Sequence, residues 1–126
     1  MFPLFLHPDV AWFILRLAVA TVFIYHALPK LTKPAVMASG LGFSAGRVML
    51  LGTVESVSSI GLILGVYMQI CSILLCTVML GAMYFKMFKW HVPFFATDKT
   101  GWEFDFILLA ANLAIILGGG GNIKLF

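Results

Sequence analysis

The sequence predicts an all-α integral membrane protein, a four-helix bundle of antiparallel spans joined by short loops, and three observations predict it. Of 126 residues, 62% are hydrophobic and 10% charged, and mean hydropathy is +1.07; a soluble domain is about half apolar and a quarter charged. The apolar residues fall into runs near the roughly 20 residues that a spanning helix needs. Glycine, proline and lysine collect between those runs. At this length the chain is one domain, 1–126, with room for about four spans and none for a soluble catalytic domain.

The first span is expected over 10–28, apolar except for Arg16 and closed by Pro29, which lacks an N–H and disfavours helix in its predecessor. Residues 29–46 form a loop whose middle, AVMASGLGF, fits a short interfacial helix or a re-entrant piece. The second span, 47–66, carries one charge, Glu55, followed by Ser56, Ser58 and Ser59; Gly61 and Gly65 give a small-xxx-small face for close packing. A tight turn leads into the third span, 69–88. The connection KMFKWHVPFFATDKTGWEFD is polar and aromatic, and Trp90, Phe94, Phe95 and Trp102 suit the headgroup level. The fourth span, 102–117, is short and stops at Gly118–Gly121, four glycines that no helix readily continues through.

A formal charge of +3 does not indicate nucleic acid, because the cations are few and scattered around apolar runs. Read as orientation signals, Lys30, Lys33, Arg47, Lys86, Lys89 and Lys99 mark two loops on one side, against Lys124 on the other. The positive-inside rule then puts those loops in the cytoplasm and both termini outside. Cys71 and Cys76 lie about 140° apart on a helix, as two inert buried thiols rather than a local pair. A removable signal peptide is not expected, since no Lys or Arg precedes the first apolar run.

The stretch RLAVATVFIYHALPKL raises the functional question, because a segment built to leave water keeps three groups that prefer it. Arg16, His26 and Lys30 fall within an arc of roughly 80° on a helix. A lipid-facing arginine at mid-depth costs on the order of 2.5–3.5 kcal/mol, so this stripe is expected to face the bundle interior. Glu55 falls in depth between Arg16 and His26, and an ion pair or water bridge from Arg16 to Glu55 is expected. His91, Glu103 and Asp105 flank the same side, and Asp105 and Asn112, seven apart, extend a polar line inward. Plainer readings stand beside these: Lys30, Lys33, Lys86 and Lys89 as snorkelling anchors, Tyr25 and His26 as interfacial side chains, Glu103 and Asp105 as helix N-terminal caps, and an Arg16–Glu55 pair that is structural alone.

At these residues the chain resembles the DoxX family of small four-helix bacterial membrane proteins. The likeness rests on RLAVATVFIYHALPKL, which carries Arg16, His26 and Lys30; on VESVSSIGLILG, which carries Glu55; and on GWEFDFILLAANLAIILGGGG, which carries Glu103. It implies the bacterial inner membrane, a quinone-like ligand and service to a membrane redox complex. On that reading Arg16, His26, Lys30 and His91 bind the headgroup, and Glu55 and Glu103 handle protons as the catalytic pair. No haem-attachment motif, cysteine cluster or nucleotide loop appears in the sequence, so electrons would come from a soluble redox partner protein. Two other classes stay open: a small-solute or proton transport component, for which four short spans would need a homo-oligomer, and a membrane scaffold for a soluble enzyme. Metal or haem held by His26 and His91, with Glu55 and Glu103, has no ligand spacing within one helix to support it.

Overall fold

A computed structural model of the chain describes residues 7–125. It is all-helical, with no strand among the described residues: α1 (Pro8–Thr32), α2 (Pro34–Leu41), α3 (Ala45–Leu64), α4 (Met68–Tyr84), a π-helical turn (Phe85–Lys89) that prolongs α4, and α5 (Trp102–Gly118). Three helical stretches are long and apolar enough to cross a membrane, Pro8–Thr32, Ala45–Leu64 and Met68–Lys89. The fourth predicted span corresponds to α5, which at 17 residues rises about 26 Å and falls a little short of the roughly 30 Å hydrocarbon core. The undecided middle of the first loop is a helix, α2.

Local chemistry accounts for the boundaries. Pro8 and Pro34 open α1 and α2 at first-turn positions, where a missing N–H removes no bond. Pro29 does not stop α1; the helix runs three residues further, and Lys33 N–H bonds back to the Pro29 carbonyl at 2.8 Å. Ser44 caps α3 by accepting from the Arg47 N–H at 3.3 Å. At the other end Gly65 turns the chain at φ +73, and a Cβ there would meet Lys124 at 2.5 Å and Arg16 at 2.9 Å, so only glycine fits. α5 takes its first N–H bonds from the loop, with Trp102 and Glu103 donating to the Pro93 and Phe94 carbonyls. Glu103 and Asp105 both stand in the first turn of α5, the end where the helix dipole favours anions.

α1 lies along α3, α3 along α4 and α4 along α5, while α5 also touches α1. The buried face of α1 is Arg16, Val19, Ala20, Phe23 and Ala27, the three-and-four spacing of one helical stripe. It packs with Leu62, Met68, Leu75, Met79, Leu108 and Ile115 as the core. Leu117, Tyr25, Val36 and Leu50 point outward and are largely exposed, as expected where lipid replaces water at the surface.

Candidate functional site: an ion-paired cavity between the helices

A cavity of about 460 Å³ opens between the helices at the end where α1 finishes and α5 begins. Its walls are mostly apolar, and its ionisable groups stand on four different elements. His26 and Lys30 come from the last turns of α1, Glu55 from mid-α3, Lys86 from the π turn and Asp105 from the first turn of α5. Lys30 Nζ meets Glu55 Oε1 at 2.5 Å. Lys86 Nζ lies 2.8 Å from Asp105 Oδ2 and donates to Thr100 Oγ1 at 3.0 Å. Both carboxylate side chains are almost fully buried, and both lysine side chains keep about a sixth of their surface. Each cation neutralises a carboxylate that would be very costly alone in a membrane interior.

The two pairs sit where the backbone permits them. Gly52 lets α1 and α3 approach beside Lys30, since a Cβ there would stand 2.9 Å from Lys30 Cβ. Asp105 is at a helix N-terminus and Lys86 near a helix C-terminus, each on the end whose dipole favours its charge. The π turn, with Trp90 N–H bonding to the Phe85 carbonyl at 2.8 Å, changes the helix phase just where Phe85, Lys86 and Trp90 turn to the cavity. Phe85 and Trp90 stack at 5.5 Å, and Phe43 crosses Phe85 edge-on at 5.0 Å. His26 packs 5.0 Å from Phe104 and lies within electrostatic reach of Lys30, Lys86 and Asp105.

The expected Arg16–Glu55 pair does not form. Arg16 is fully buried at the opposite end, where its guanidinium donates to the carbonyls of Leu62 at 2.8 Å, Ile63 at 3.4 Å, Gly120 at 3.3 Å and Ile123 at 2.6 Å. The reason is axial distance. Arg16 and Lys30 share a face but stand fourteen residues, about 21 Å, apart along the helix, and Lys30 is the one level with Glu55. Arg16 instead meets the last turn of α3, whose carbonyls lack helical partners and carry partial negative charge, and the carbonyls of the segment after α5. Two of the supposed anchors are also corrected, since Lys30 and Lys86 turn inward to carboxylates, whereas Lys33 and Lys89 are exposed.

Of the remaining sequence-derived site residues, Glu103 is half-buried in the first turn of α5 and His91 is exposed at φ +52; neither lines the cavity. His26, His91, Glu55 and Glu103 are therefore not brought together around one point. Ser72, Phe43, Phe85 and Phe104 carry no site signal of their own in the sequence, and Lys86 and Trp90 read there only as an anchor and a headgroup-level ring. One signal was present: Ser72, Met79 and Lys86 follow one another at intervals of seven, the same near-eclipsed spacing that joins Asp105 to Asn112.

A protein-family model, DoxX, matches residues 11–90, more than half of the chain. The match takes in Arg16, His26, Lys30, Glu55 and Lys86 and ends before Glu103 and Asp105. No curated protein and no solved structure matches the chain.

Proposed function

The chain belongs to the DoxX family, and we propose that it binds a small amphipathic molecule of the quinone class in its ion-paired cavity, as a multi-pass membrane component of a redox system. The observation that carries this reading is the coexistence, in one cavity of ligand size, of aromatic walls with two buried lysine–carboxylate pairs and a histidine. A quinone supplies a flat ring and two carbonyl acceptors. Phe43, Phe85, Trp90 and Phe104 offer faces and edges to the ring, while His26, Lys30 and Lys86 offer donors to the carbonyls. Glu55 and Asp105 hold those lysines in place and keep the local charge balanced. Glu55 is the residue we assign to proton handling, because Oε1 is committed to Lys30 whereas Oε2 has no partner among the described residues.

In this reading α5 is the fourth span, tilted little or with the bilayer thinned around it, and the two basic loops face the cytoplasm. A transmembrane solute path is disfavoured by what lies beyond the cavity. Val19, Ala20, Leu62 and Ile115 close that end, each at most 2% exposed, and Arg16 ties the helix ends behind them.

The test is mass spectrometry of an organic extract from gently purified protein, beside Glu55→Gln and His26→Ala variants shown to be folded. A quinone enriched in the native protein and depleted in both variants is the expected result. Extracts with the same quinone content as an unrelated membrane protein of similar size would end the proposal.

A further inference from the structure

From the back of the cavity, where Glu55 stands, into the closed half of the bundle runs a second group of polar atoms. Glu55 Oε2, Ser58 Oγ, Ser72 Oγ and Asn112 Oδ1 have no hydrogen-bond partner among the described residues, and their residues are at most 1% exposed. Asn112 is fixed in orientation, its Nδ2 donating to the Leu108 carbonyl at 2.9 Å, so its oxygen is the end left over. Ser58, Ser72 and Asn112 are not among the cavity walls.

Their residues lie at neighbouring depths. Gly61 stands against Cys71, and Gln69 Nε2 bonds to the Ile116 carbonyl, which sets α3 against α4 and α4 against α5. Counting from those levels at 1.5 Å per residue, all four residues fall within roughly 8 Å along the bundle axis. They come from α3, α4 and α5, with α4 between the other two. Toward the far end Val19, Ala20, Leu62 and Ile115 shut the layer off.

The donor and acceptor inventory says what would satisfy them. A carboxylate oxygen and an amide oxygen only accept, and two hydroxyls bring one proton each. Buried polar atoms in an apolar surround are satisfied as a rule, and a small molecule with both donors and acceptors, touching two to four of them, is what such a layer takes. We propose that Glu55, Ser58, Ser72 and Asn112 hold a small cluster of internal water behind the cavity. Glu55 is shared between that cluster and Lys30, and Ser58, Ser72 and Asn112 act as positioning residues for its carboxylate. A monovalent cation would also find four oxygens here, but Lys30 already neutralises Glu55, so the ion would sit as an uncompensated charge. The cluster depends on protein groups alone and stands whether or not a quinone occupies the cavity.

Infrared spectroscopy of the protein in nanodiscs, exchanged between ordinary water and water labelled with oxygen-18, tests the proposal. The wild type is expected to show buried O–H stretching bands that shift with the label. These are expected to be lost in Ser72→Ala and Asn112→Leu, with both variants also moving the carboxylate band that Glu55→Gln identifies. Ser72→Thr, which keeps the hydroxyl, is expected to restore both signals. Label-insensitive spectra in the wild type, or a Glu55 band unmoved in correctly folded Ser72→Ala and Asn112→Leu, would overturn the proposal. So would a melting temperature that rises with sodium or potassium but not with choline at equal ionic strength, which would make the occupant a cation.

Discussion

At the scale of single residues, the chain separates two uses of buried charge that look alike in sequence. Arg16 and Glu55 are each lone charges in apolar runs, and each invites a reading as part of a site. Their surroundings differ. Arg16 spreads over four backbone carbonyls, two in the last turn of α3 and two in the segment after α5, a task for which its planar, multi-donor fork is suited and a lysine's point charge is not. Glu55 meets one lysine, and its other oxygen has no partner among the described residues. Arg16→Lys is therefore expected to cost about 3 kcal/mol, the scale of losing one or two charge-assisted hydrogen bonds in a buried setting, with no change in ligand retained per folded molecule. Thermal melts in detergent, alongside extracts of the surviving folded fraction, check both halves; loss of ligand at unchanged stability would return Arg16 to the cavity. That the stripe of Arg16, His26 and Lys30 faces inward was legible from helical periodicity. The partner of each was not, because periodicity gives an angle around one helix and says nothing of its axial level against another.

At the scale of elements, periodicity and apolar run length located the helices, and the glycines decide how they fit. The predicted spans 10–28, 47–66, 69–88 and 102–117 lie within a few residues of α1, α3, α4 with its π turn, and α5. The π turn has no counterpart in the sequence pattern, since nothing in FKMFK distinguishes bonds five residues apart from bonds four apart. Its consequence is large, because Lys86 reaches Asp105 from there. Gly46 and Gly52 lie in the same helix and look equivalent in sequence, yet a Cβ at Gly46 meets nothing within 4 Å while one at Gly52 would press Lys30 Cβ and Leu31. Alanine at Gly46 is expected to stabilise by up to about 1 kcal/mol through helix propensity. Alanine at Gly52 is expected to destabilise, because the contact is with the stem of Lys30 rather than a movable tip, and to loosen the Lys30–Glu55 pair. Opposite signs in the two melts support the α1–α3 packing; stabilisation by both alanines would show that α1 sits further from α3.

At the scale of the whole molecule the two ends are unlike, and that asymmetry is what the membrane would act on. One end gathers the cavity, both ion pairs, α2 and the aromatic connection. The other is tied shut by Arg16, by the Asn122 N–H bonding to Asp9 Oδ1 at 3.0 Å and by the Leu125 N–H bonding to the Leu64 carbonyl at 3.1 Å. The expected sidedness rests on the scatter of Lys and Arg between loops, and α5 carries the consequence: if it spans, Lys99 and Lys124 lie on opposite faces of the bilayer, and if it lies along the surface they share one. All of Lys33, Lys99 and Lys124 are exposed, so cysteine at each is open to a membrane-impermeant maleimide once Cys71 and Cys76 are replaced by alanine. With α5 spanning and the basic loops inside, intact cells are expected to protect Lys33→Cys and Lys99→Cys and to label Lys124→Cys, with all three labelled after permeabilisation. Labelling of Lys33→Cys and Lys99→Cys alone would invert the orientation and keep the four spans. Identical behaviour of Lys99→Cys and Lys124→Cys would take α5 out of the bilayer, and with it the buried setting that makes the Lys86–Asp105 pair and the Asn112 oxygen significant.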